Sequence, residues 1–172
     1  MRHKKIVIFQ CGGTIDKLYP QTAGSYAFLI GKPAAKRILE RIRPAFQYEI
    51  KTLMRKDSLD MTDDDRTKVF EACAKETSEI IIITHGTDTM TVTAQVLSKI
   101  KGKTIVLVGS SLPEQYQGSD ADFSFGFAIG ASLHAPHGVY IAMNGTLFRW
   151  NQVAKQQNGI FTTTNGNGNG HH

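Results

Sequence analysis

An open, mostly parallel α/β sheet with helices on both faces is what this 172-residue chain predicts, and three observations predict it. Ile80 to Ile83 and Thr104 to Val108 are almost wholly apolar, as strands covered on both faces must be. Segments with apolar residues at helical spacing separate these strands from one another, which is the pattern of βαβ units. Small polar residues and glycines gather just after the apolar runs, where an open parallel sheet places its ligands.

Taken in order, Ile6 to Phe9 is a short apolar strand that runs into Cys11-Gly12-Gly13-Thr14-Ile15. The loop through Tyr26, broken by Gly12, Gly13, Pro20 and Gly24, is long for a compact α/β unit, and Pro20 to Ser25 reads equally as a lid or as disorder. Lys32 to Arg43 is a helix with Pro33 in its first turn and Ile38, Leu39 and Ile42 on one face. Tyr48 to Met54 alternates as a strand. Thr62 begins the next helix, with Asp63, Asp64 and Asp65 complementing the positive helix end and Val69, Phe70, Cys73 and Ala74 as its apolar stripe.

After Ile80 to Ile83, the residues Met90, Ala94, Leu97 and Ile100 step at helical spacing until Gly102. A helix over Asp120 to Leu133 then separates Thr104 to Val108 from a fifth strand, Val139 to Met143. Residues 1–163 form one domain on this reading. Residues 164–172, an Asn/Gly/His run with no apolar side chain, form a flexible tail whose histidines carry no function.

Composition narrows the function. The N-terminal basic residues are followed by only four apolar residues, and no 18-residue apolar run exists, so a soluble, cytoplasmic protein is expected. The net charge of +5 is scattered, with no aromatic interleaving of the kind that stacks bases, which argues against nucleic acid as a partner. Cys11 and Cys73 are too few for a disulfide framework and lack zinc-ligand spacing, so both are expected to be reduced.

Four post-strand segments carry the candidate chemistry: Gly12 to Thr14, Asp57 to Asp60, Thr84 to Asp88 and Gly109 to Ser111. Gly12 and Gly13 allow backbone N–H groups to approach a ligand oxygen, as an oxyanion hole or phosphate cradle, but the spacing fits neither a Walker loop nor G-x-G-x-x-G. Alone, Gly-Gly-Thr is as well a tight turn with a helix cap. In Thr84-His85-Gly86-Thr87-Asp88, Asp88 offers a carboxylate for an amino group and Thr87 a hydroxyl for proton exchange, while the plain alternative is a capped helix start. His85 reads as a packed or orienting residue. Ser58, and the pair Ser110 and Ser111, are hydroxyls for a substrate or ordinary turn residues.

Gly12-Gly13-Thr14-Ile15 after the first strand and Thr84-His85-Gly86-Thr87-Asp88-Thr89-Met90 later resemble the two signatures of bacterial-type L-asparaginases. Asp57-Ser58-Leu59-Asp60-Met61, Val108 to Pro113, Gly138 to Asn144 and Val153-Ala154-Lys155 fall in the order of that family. The resemblance implies the Rossmann-like amino-terminal domain of the family, and hydrolysis of asparagine to aspartate and ammonia without metal or organic cofactor. It implies Thr14 as nucleophile, with Thr87 and Asp88 in the activation site and Tyr26, or in its place Tyr19, assisting Thr14. Ser58 would bind the substrate α-carboxylate and Asp88 its α-amino group, and Ser110 is matched to the same binding site.

The sequence departs from the family pattern in three ways. No lysine lies between Lys103 and Lys155, where the family places one on the helix before the fifth strand, so the proton relay is expected to be incomplete, with Ser132, His134 or His137 near the gap. Leu59 and Cys11 stand where the family has a polar residue and a threonine. The family also completes each site from a second domain that this sequence does not match, so a homo-oligomer, by default a dimer, is expected. The functional expectation is an L-asparaginase; the alternatives are an amino-acid binding or sensing domain and an amide-handling subunit of a tRNA amidotransferase.

Overall fold

The computed structural model describes residues 5–19 and 27–164. Six strands form one sheet in the order β4-β1-β5-β6-β7-β8: β1 Ile6–Gly12, β4 Tyr48–Lys56, β5 Ile80–Thr84, β6 Thr104–Val108, β7 Gly138–Met143 and β8 Thr146–Arg149. All pairings are parallel except β7 with β8, which turns through Asn144 (φ 51°) and Gly145 (φ 70°). Two short antiparallel pairs lie apart from the sheet: β2 Lys17–Leu18 with β3 Leu29–Ile30, and β9 Val153–Lys155 with β10 Phe161–Thr163.

Period-two alternation distributes each strand's side chains between two cores. Val7, Phe9, Ile81, Ile83, Ile105, Leu107 and Ile141 face helices α2 Asp63–Lys75 and α3 Met90–Leu97. Ile6, Ile8, Ile80, Ile82, Val106 and Ala142 face α1 Ala34–Ile42 and α4 Ala121–His134. A sheet buried on both sides explains why β5 and β6 read as unbroken apolar runs.

Local signals set the helix boundaries. Thr62 Oγ1 accepts from the Asp65 N–H at 3.2 Å and Asp65 accepts from the Thr62 N–H at 2.9 Å, a reciprocal cap that starts α2 as the sequence indicates. Two apolar residues expected inside are not there: Ile42 at the end of α1 is 55% exposed, and Ala74 of α2 faces solvent. Helix α3 stops at Leu97, short of Gly102, and Ile100 packs from the loop beyond it.

The order of the strands positions the site. From β1 the chain crosses over α1 to β4 on one side, then returns over α2 to β5 on the other, so the winding reverses between β1 and β5. Carboxyl ends of adjacent strands on either side of such a reversal leave a crevice, and here they carry Gly12–Thr14 and Thr84–Asp88.

Candidate active site

Two glycine turns meet across that crevice. Gly12 (φ 118°) and Gly13 (φ 84°) hold conformations that side-chain-bearing residues avoid, and they turn β1 into a 3₁₀ turn over Thr14–Asp16. A Cβ on Gly13 would lie 2.3 Å from the Gly86 nitrogen, and one on Gly86 would lie 2.6 Å from Ser58 Oγ. The backbones of the first and second signatures are therefore in direct contact, with the Ser58 turn behind them. The Gly13 N–H donates to Lys56 O at 3.0 Å, so it is committed to the fold and is not an oxyanion donor, which corrects one use expected of the glycine pair.

Strand β5 delivers the second turn. His85 is fully buried, its Nε2 2.8 Å from Thr93 Oγ1 and its Nδ1 2.7 Å from Gly86 O. Burial pushes its pKa down to about 4, and the nearby Arg66 guanidinium adds to the shift, so the ring is neutral at pH 7 and braces the turn. The residue preceding α3 is Thr89, whose hydroxyl donates to Ser58 O at 2.7 Å and does not cap the helix. Thr87 and Asp88 are thus not consumed in capping.

Both instead meet Lys155. Its Nζ donates to Thr87 Oγ1 at 2.8 Å and to Asp88 Oδ1 at 2.5 Å, reaching in from β9. Thr14, Thr87, Asp88, Ser110, Asn144 and Lys155 line one cavity of ≈ 360 Å³, with Asn158 to Ile160 at its rim. The expectation of an incomplete relay is corrected here. A lysine does reach the second threonine and aspartate, but it comes from a hairpin after the sheet. The three residues expected near the gap lie elsewhere: Ser132 is buried and donates to Ile129 O, and His134 and His137 sit at the opposite edge of the sheet, His137 4.0 Å from Glu79.

Asn144 fixes that hairpin. Its Oδ1 accepts from the Phe161 N–H at 2.8 Å, tying β10 to the end of β7, while Val153 and Phe161 are buried in the core beside α2 and α3. Asn144 is a site residue that none of the four candidate post-strand segments of the sequence includes. Its signal was Asn144-Gly145, a dipeptide that makes a tight two-residue hairpin and so returns the following chain alongside β7.

The other expected residues divide. Ser58 is fully buried and its hydroxyl has no hydrogen-bond partner, although it lies behind Gly86 and does not line the cavity. Ser110 lines the cavity with its hydroxyl donated to Leu112 O at 2.5 Å. Asp57 pairs with Lys17 at 2.8 Å, which holds its carboxyl below the usual range. Leu59 is 71% exposed. Tyr19 is half-exposed, with its ring 6.0 Å edge-on from Phe28, and does not line the cavity. Tyr26, like Pro20 to Ser25 and the tail from Asn165, lies outside the described residues.

Cys11 and Cys73 are buried and unpaired, and burial pushes both thiols up. Among the described residues no group of three or more His, Cys, Asp or Glu side chains is placed to hold a metal ion, and no helix is long and apolar enough to cross a membrane.

Threonine turns meeting at the switch point of a parallel sheet, faced by an ammonium and a carboxylate, define an α/β protein whose site is built at the carboxyl edge. The chain belongs to the asparaginase family: the family profile described as Asparaginase, N-terminal matches residues 5–170. It is 31% identical over 105 residues to L-asparaginase 1 of Escherichia coli (strain K12), covering 58% of this chain and 31% of that protein. It is 39% identical over 72 residues to one subunit of the Glutamyl-tRNA(Gln) amidotransferase of Methanococcus vannielii, 41% of this chain and 17% of that one. Among solved structures, a probable cytoplasmic L-asparaginase from Campylobacter jejuni matches with a TM-score of 0.80 at 25% identity, over 95% of this chain and 54% of that one. L-asparaginase I from Vibrio cholerae matches with a TM-score of 0.80 at 27% identity, over 94% and 52%. The chain thus spans about half of these structures and under a third of the curated relatives' length.

Proposed function

We propose that this protein is a cofactor-free amidohydrolase that converts L-asparagine to L-aspartate and ammonia, with Thr14 as nucleophile. The observation that supports it most is a single cavity shared by Thr14 and by the hydrogen-bonded set Thr87, Asp88 and Lys155. In this reading the Thr14 hydroxyl attacks the side-chain amide carbon. The Lys155 ammonium gives a proton to the amide nitrogen, which leaves as ammonia, and regains one from the Thr87 hydroxyl, which takes the proton of Thr14. Water then attacks the acyl-threonine ester along the same route and releases aspartate, restoring the Thr14 hydroxyl.

Binding follows from the remaining groups. Asp88 is half-exposed and uses Oδ1 for Lys155, so Oδ2 remains to receive the substrate ammonium. The unpartnered Ser58 hydroxyl, behind Gly86, is the group the resemblance assigns to the α-carboxylate. Tyr26 is the expected assistant to Thr14. The resemblance to asparaginases also favours a homodimer and a cytoplasmic location.

Thr14→Ala tests the proposal: folded protein with ammonia release from asparagine lowered at least about 10³-fold supports it. Full activity in that variant would remove Thr14 from its role, and asparagine binding without turnover in the parent would make the chain a sensing domain. The similarity to part of an amidotransferase favours a second reading, delivery of ammonia within a larger complex. Turnover by the isolated chain, without tRNA or a partner protein, argues against it.

A further inference from the structure

Asp16 lies two residues beyond Thr14, fully buried, and the mechanism above gives it nothing to do. Its contacts reach three separate elements. Oδ1 accepts from the Ala34 N–H at the start of α1 at 2.7 Å, and Oδ2 accepts from the Thr84 hydroxyl at the end of β5 at 3.0 Å. Its main chain receives the Gly31 N–H at 2.9 Å and donates to Gly13 O at 3.1 Å. Thr84 is three residues before Thr87. One carboxylate therefore spans from the turn that carries Thr14 to the segment that carries Thr87 and Asp88.

We propose that ionised Asp16 is a positioning residue that holds the Thr14 turn in register with the Thr84–Asp88 segment, and that its protonation rearranges these bonds within the closed structure, shifts the register and lowers turnover on the acid side. The inference rests on the proposed function only for its rate readout.

The chemistry of the two states differs in the required direction. An ionised carboxylate accepts from Ala34 and Thr84 at once, and such charge-assisted bonds are roughly twice as strong as neutral ones. The positive end of α1, at Ala34, adds to the preference for charge. A protonated Asp16 must turn one oxygen into a donor, so the Thr84 hydroxyl has to rotate to accept, and both bonds weaken. Burial pushes the Asp16 carboxyl up to about 6, against the Ala34 N–H, Gln10, Thr84 and Arg37, which favour ionisation. The titratable and charged groups that face it are Cys11 of β1, whose thiol burial keeps neutral, and Arg37 of α1, whose charge is shared with Glu114 at 2.5 Å. A neutral side chain would satisfy a purely structural need without burying a charge.

The test is a pH profile of ammonia release from asparagine in the parent, Asp16→Asn and Thr84→Val, with amide hydrogen exchange followed in parallel. In the parent, kcat is expected to decline from about pH 7 to about pH 5 with KM little changed. Asp16→Asn should lose that limb and run about tenfold below the parent's plateau at every pH. Thr84→Val removes a donor to the charged form, so its limb should move to higher pH. Protection of Gly13–Asp16 and of His85–Asp88 should be lower together in Asp16→Asn and in Thr84→Val than in the parent at pH 7. An unchanged acid limb or an unchanged kcat in Asp16→Asn would overturn the proposal. If the parent releases no ammonia while the two segments lose protection together in Asp16→Asn, the assigned reaction fails and the Asp16 link stands. If ammonia is released but protection of both segments is the same in Asp16→Asn as in the parent, the link fails and the reaction stands.

Discussion

Lys155 Nζ stands 2.8 Å from Thr87 Oγ1, so a hairpin that belongs to no part of the main sheet closes the site that β5 opens. The two residues are 68 positions apart in the chain. Their meeting replaces an expected gap with an ammonium, and it does so with a side chain that is largely sheltered where Asp88 remains half-exposed.

Lys155→Met separates the chemistry from the fold. Removing the ammonium from Thr87 should lower ammonia release by roughly 10²- to 10³-fold. Stability should change by less than about 1 kcal/mol, because the ion pair with half-exposed Asp88 is screened by water. Steady-state kinetics and thermal unfolding of the same sample provide the two readings, and near-parent activity would exclude Lys155 from the relay.

Asn144→Ala should act on Lys155 from a distance. It removes the acceptor for the Phe161 N–H and puts alanine at φ 51°, where asparagine is better tolerated. The expected result is a fall in kcat of about tenfold with a loss of only about 1 kcal/mol of stability. Asn144→Asp retains the acceptor and should retain most of the activity, a contrast that ordinary kinetics resolves.

Gly13→Ala should be among the most damaging single changes in the chain. Its Cβ would meet the Gly86 backbone at 2.3 Å, and φ 84° adds strain, so a loss on the order of 3 kcal/mol or more is expected in denaturant unfolding. Gly102→Ala, with φ 73° but open space around it, should cost only the strain, about 1 kcal/mol.

Acid stability should reveal two opposed titrations. His85, pushed down to about 4, binds a proton more readily unfolded than folded, so its contribution is complete above about 6.5 and drains as pH falls toward 4. Asp16, pushed up to about 6, behaves inversely: the fold favours its protonated form, and that contribution is complete below about 3.8 and lost as pH rises through 6. Each contributes on the order of a few kcal/mol, and the two act in opposite directions. Urea unfolding of the parent should therefore vary less with pH between about 4.5 and about 6.5 than that of a variant lacking either group. Asp16→Asn should lose stability on acidification through that window, and His85→Asn should gain it. Parallel slopes in the two variants would contradict the assignment.

The sheet was legible because its strands are buried on both faces, so β5 and β6 stand out as apolar runs without alternation. That the segments around Gly13 and Gly86 share the carboxyl edge was legible from the same pattern, but their direct contact depends on the winding order, which no residue pattern states. Lys155 was not legible. Strands β9 and β10 have three residues each, and Val153 and Phe161 acquire meaning only when the β7–β8 turn returns the chain to the carboxyl edge. Ile42 was misjudged because helical spacing marks a face but not where neighbouring elements end, and α1 outruns its cover there.

The β9–β10 pair also makes the reactive arrangement separable from the body that carries it. The pair's attachments to the body are two apolar plugs, the Asn144 amide contact and the Lys155 hydrogen bonds themselves, so a local opening silences chemistry while every strand of the six-membered sheet stays paired. A nick near Gln152, or heat short of the main transition, would then yield a folded but inert species. Inactivation and unfolding should be followed as separate events in this protein.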